Sequence, residues 1–77
     1  MRDLPDDETW IADRRRAIGA RIREERIRQN LTQDQVWQAA RIDRRTLQYV
    51  EAGQEVKLST LLRIAHVLDV PLPDLMG

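Results

Sequence analysis

The stretch from Leu31 to Gly53, LTQDQVWQAARIDRRTLQYVEAG, decides the fold. Thr32 and Gln35 have the spacing of a capping box, in which each side chain satisfies the other's backbone N–H. That spacing predicts a short helix over 33–40 with Val36 and Ala40 inside. Residues 41–43 form a tight connection. Asp43 then caps a helix over 44–51, and Gly53 stands where a left-handed residue closes it.

Working outward, the preceding segment reads as a helix over roughly 6–29, with Ile11, Ile18 and Ile22 on one stripe. Pro5 suits a first turn, and the acids after it suit the positive end of the helix dipole. The helix begins either near Asp6 or near Asp13. Asn30 is a left-handed stop. Downstream, Ser59 caps a helix over 60–68 whose apolar face is Leu61, Ile64, Ala65 and Leu68. Pro71 ends it, and a last turn over 73–76 places Leu75 on the core. No alternating apolar pattern supports a strand, so the expected class is all-α.

Composition narrows the possibilities. Seventy-seven residues make one domain, burying only about 60% of the unfolded surface. The chain has no cysteine, so disulfides and thiolate metal sites are excluded. No apolar run approaches membrane-spanning length or resembles a signal peptide, so a cytoplasmic protein without membrane attachment is expected. The formal net charge is zero, but unevenly distributed. Residues 1–13 set Arg2 against five acids, a net of −4, and residues 14–77 carry +4. Residues 1–12 are read as an acidic leader, either a solubilising tail or an extension of the first helix with Trp10 docked on a partner or on the body. Residues 13–77 are read as the domain. A basic body permits contact with phosphates, which respond to local rather than total charge.

Two short helices joined by a three-residue turn make a helix-turn-helix. In the second, Leu47, Val50 and Glu51 face one way. Arg44, Arg45, Gln48 and Tyr49 face the other, because 44/48 and 45/49 are one turn apart. A helix lying in the major groove needs this division, with long hydrogen-bonding side chains turned to the base edges.

Residues 18–75 resemble the lambda-repressor/Cro-like (XRE) helix-turn-helix family. The matching residues are Ile18-Gly19, Ile22, Arg26, Leu31-Thr32-Gln33, Leu47, Val50-Glu51 and Gly53. They continue through Leu61-Leu62, Ala65, Leu68, Pro71 and Leu75. The resemblance implies a five-helix DNA-binding domain that regulates transcription, binding double-stranded DNA as a homodimer on a two-fold operator. It implies a backbone contact for Gln33, base contacts for Arg44, Arg45 and Tyr49, and a base or phosphate contact for Thr46. Gln48 joins them from its place on the outward face. The resemblance also implies a structural ion pair between Arg26 and Glu51. The residues argue for that pair independently, because each charge sits one turn beyond an apolar residue on an inward face. Three residues depart from the family pattern: Arg41 replaces the usual turn glycine, Trp37 replaces a small residue between the motif helices, and Glu55 puts an acid in a loop that commonly meets phosphates.

Other chemistry lacks the residues it needs. His66 is the only histidine and has no second ligand, so no metal site and no cofactor are expected. Carboxylates alternate with arginines, as in Arg23-Glu24-Glu25-Arg26, which is the pattern of a solvated helix surface. Without a nucleophile–base set, no enzyme is expected. Lys57 and Arg63 read as solubilising. Leu72, Leu75 and Met76 are candidates for a dimer surface, with closure of the core as the other use of Leu75. Unless the chain is part of a longer protein, there is no room after the last helix for an inducer-binding or self-cleaving domain, and control by concentration, by a protein partner or by other regulators at the same operator is expected. Two rival functions share the fold: the antitoxin of a toxin–antitoxin pair, and a protein-interaction module that does not bind DNA.

Overall fold

A computed structural model describes residues 1–77 as five helices and no strand: α1 Thr9–Arg28, α2 Gln33–Ala40, α3 Arg44–Glu51, α4 Leu58–Leu68 and α5 Leu72–Met76. The first four end by one device. A single residue turns left-handed, and the next residue's N–H returns to a carbonyl five positions back. Asn30 (φ 59°) does this with Leu31 N–H to Arg26 O at 3.0 Å, and Arg41 (φ 57°) with Ile42 N–H to Trp37 O at 3.0 Å. Gly53 (φ 83°) sends Gln54 N–H to Tyr49 O at 2.9 Å, and Asp69 (φ 56°) sends Val70 N–H to Ala65 O at 3.0 Å. A β-carbon in this region costs roughly 1–2 kcal/mol, which the recovered carbonyl bonds offset. Arg41 therefore keeps the turn shape that glycine favours, at some local strain.

The helix starts differ from expectation in three places. α1 begins at Thr9, between the two starts the sequence allowed, because the Thr9 N–H and hydroxyl both donate to Asp7 Oδ1, at 2.9 and 2.7 Å. α4 begins at Leu58. Lys57 O accepts from Thr60 N–H at 3.0 Å and from Leu61 N–H at 3.3 Å, so Ser59 lies inside the first turn and caps nothing. α5 starts at Leu72, with Pro71 leading into it; Asp69 rather than Pro71 ends α4. Asp43 holds the N-cap position of α3 without a side-chain bond into it. The capping box at α2 is complete: Gln35 N–H donates to Thr32 Oγ1 at 3.1 Å and Thr32 N–H to Gln35 Oε1 at 2.8 Å.

The core draws on every helix. Ile22, Val36, Ala40, Leu47, Val50, Ile64, Ala65, Leu68 and Leu75 are buried, and no buried side-chain polar atom lacks a partner. Ile18 is half-buried and Ile11 exposed, so the stripe on α1 reaches the core only in its C-terminal half. Gly19 lets α1 lie against the end of α3; a β-carbon there would collide with the Val50 carbonyl oxygen. Arg15 Nε donates to Gly53 O at 3.1 Å and Gln29 Nε2 to Leu68 O at 2.7 Å, tying α1 to the ends of α3 and α4. No helix is long and apolar enough to cross a membrane.

Candidate nucleic-acid interface

α3 is held by one side and open on the other. Leu47 and Val50 are buried in the core. Arg44, Arg45, Gln48 and Tyr49 are exposed, Tyr49 by 49%, and Thr46 is half-buried. Four long side chains on one face of an eight-residue helix match what a groove-reading surface requires.

The inner side of α3 ends in a charge cluster. Arg26 Nε donates to Glu51 Oε2 at 2.8 Å and Arg26 Nη2 to Glu51 Oε1 at 3.1 Å, with the side chains only 11% and 6% exposed. Such a two-point fork fixes both groups in the plane they share. Arg26 Nη1 also donates to Leu31 O at 2.9 Å, so one guanidinium joins α1, the α1–α2 link and α3.

Gln33, first residue of α2, is half-buried and gives Nε2 to Glu51 Oε1 at 3.3 Å. Its carboxamide is therefore part of the same cluster, while its backbone N–H opens the α2 N-terminus. The capping box leaves the first N–H groups of that turn without helical partners, which suits an anion.

Asp34 and Trp37 join the candidate interface without having been singled out for it in the sequence. Asp34 Oδ1 accepts from Trp37 Nε1 at 2.9 Å and lies 3.4 Å from an Arg44 terminal nitrogen. The 34/37 spacing, three residues apart on one helix, hinted at the first contact. The second crosses the turn and could be found only in three dimensions. Trp37 is half-buried against the core, so its bulk is taken up at the edge of the α2 packing. Arg45 forms no ion pair. Glu55, Lys57, Arg63 and His66 are exposed, and no group of three or more His, Cys, Asp or Glu side chains is placed to hold a metal.

The fold, the three-residue turn and the outward face of α3 define a helix-turn-helix protein. The helix-turn-helix family model matches residues 22–75, and the chain belongs to that family, of the lambda-repressor-like (XRE) type. Among solved structures it resembles the restriction-modification controller protein C.AhdI from Aeromonas hydrophila. That match has 34% identity and a TM-score of 0.75, over 83% of this chain and 97% of the other. It also resembles the clp gene regulator ClgR from Corynebacterium glutamicum in two structures. One has 28% identity and a TM-score of 0.74 over 80% of this chain and 82% of the other; the second has 26% and 0.76 over 92% and 71%. No curated protein sequence gives a significant match.

Proposed function

We propose that this chain is a sequence-specific DNA-binding regulator of transcription that lays α3 in the major groove. The observation that carries the reading is the two-sided character of α3. Its inner side is locked by Leu47, Val50 and the Glu51–Arg26 fork, while Arg44, Arg45, Gln48 and Tyr49 are exposed on the outer side. Arginine on such a helix reads guanine O6 and N7 through paired hydrogen bonds, and glutamine reads adenine N6 and N7. Thr46 lies beside them for a base or a phosphate. The Gln33 backbone N–H, at the positive end of α2, meets the phosphate that fixes the register. Membership of the helix-turn-helix family and likeness to a controller protein and a gene regulator support the same reading.

The working form is a homodimer on a two-fold operator, with half-sites about one helical turn apart. One α3 supplies few contacts, and pairing two copies raises the effective affinity without new chemistry. Leu72 is half-buried and Met76 43% exposed at the end of the chain, which leaves apolar surface for pairing.

Fluorescence polarisation with a random-sequence duplex across a salt series tests the reading. The expected result is weak affinity that falls steeply with salt, since each phosphate contact releases counterions. Selection from a random library should then return a two-fold sequence, and light scattering on that complex should give two chains per site. Absent or salt-indifferent binding would overturn the assignment in favour of a protein-interaction module.

A further inference from the structure

We infer that Asp34, held in place by Trp37, is a specificity-determining residue: it positions Arg44 for base recognition and withholds it from the phosphate backbone. This rests on the DNA-binding reading of α3. Trp37 is anchored against the core, and its indole N–H donates to Asp34 Oδ1 at 2.9 Å. The carboxylate therefore has its rotamer set from within α2. The same oxygen lies 3.4 Å from the Arg44 guanidinium across the turn.

Both members of that ion pair are largely exposed, at 60% and 56%, so it adds little to folding. Its effect is on where Arg44 points and on what can approach it. A phosphate drawn to Arg44 also meets the Asp34 charge, whereas the edge of a guanine presents acceptors without a formal charge. Arg45, the next residue, forms no ion pair. The two neighbouring arginines thus divide the work: Arg45 attracts phosphates, and Arg44 selects bases.

The test compares wild type, D34N, W37F, R44A and the D34N/R44A double variant on two duplexes. One duplex is recovered by site selection with the wild type; the other is its shuffled sequence. In D34N the ratio of the two affinities should fall about tenfold, within what one arginine–guanine pair supplies. Binding of the shuffled duplex should tighten, with a salt slope steeper by up to about one as Arg44 turns to a phosphate. W37F should lower the ratio without tightening shuffled binding, because the Asp34 charge remains. D34N should produce no further fall in ratio in the R44A background. An unchanged ratio in D34N, or an equal fall with and without Arg44, overturns the inference while leaving the DNA-binding reading intact. A wild type that binds neither duplex overturns both.

Discussion

The two sides of α3 carry charge under opposite conditions. On the inner side Glu51 is almost fully buried and accepts three hydrogen bonds, two from Arg26 and one from Gln33. On the outer side Arg44 and Arg45 stand in solvent, one beside Asp34 and the other unpaired. A buried charge is costly to leave alone, so the inner cluster is coupled to folding. An exposed charge is already hydrated and changes stability little, so the outer face is free to vary with the ligand it meets. On the proposed reading, one short helix thereby separates fold from recognition, three or four residues at a time.

The largest expected effect comes from breaking the inner side. Glu51→Ala leaves Arg26 buried without its fork and should cost about 3–5 kcal/mol, measured by urea denaturation. Replacing both partners with apolar residues of similar volume should recover much of that loss, which would separate the cost of a stranded charge from the worth of the pair.

A smaller effect is expected where the backbones meet. Gly19→Ala drives a β-carbon into the Val50 carbonyl and should destabilise by about 1–3 kcal/mol as α1 moves off α3. Wild-type stability in that variant would show that the contact can relax, and that the inner side is less rigid than its geometry suggests.

The outer side should respond in the opposite sense. Arg45→Ala should change stability by no more than about 0.5 kcal/mol. It should nonetheless weaken binding to all duplexes alike and lower the salt slope by about one. A variant that lost stability and kept its salt slope would place Arg45 in the fold, not the interface.

The smallest effect belongs to acids away from both sides. The Thr9 hydroxyl and N–H hold the Asp7 carboxyl below the ordinary carboxylate value, and the Arg28 guanidinium does the same for Glu25. A depressed value means that the contribution is complete above the unfolded-state pKa and is lost as pH falls through the folded one. Helicity at the two ends of α1, followed by circular dichroism, should therefore decline slightly on acidification below the ordinary carboxylate range. Asp7→Asn should remove the Asp7 share of that decline.

The motif helices were legible in the sequence because their information is local. Thr32 and Gln35 mark a start, Val36, Ala40, Leu47 and Val50 mark inner faces, and Gly53 marks a stop. The starts of α1 and α4 were not legible. Asp7 and Lys57 offer the cap through an off-position carboxylate and a backbone carbonyl, and neither has a compositional signature. Pro71 drew attention as a helix breaker, yet Asp69 ends α4 two residues earlier by going left-handed.

At the candidate site, the residue types facing outward on α3 were readable from helical spacing alone. Arg26 and Glu51 drew notice for the same reason, as charges standing on apolar stripes. By itself, then, the order of residues determined four helices and a last short turn, most of their inner faces and the charged surface of the second motif helix, because periods of three and four residues need no partner to be seen. Only the tertiary structure decided that Gln33 turns in to Glu51, that Trp37 fits by moving to the edge of the packing, and that Asp34 stands beside Arg44 but not Arg45. Those contacts join residues on different helices, and their geometry is set by how the helices cross, which no local pattern encodes.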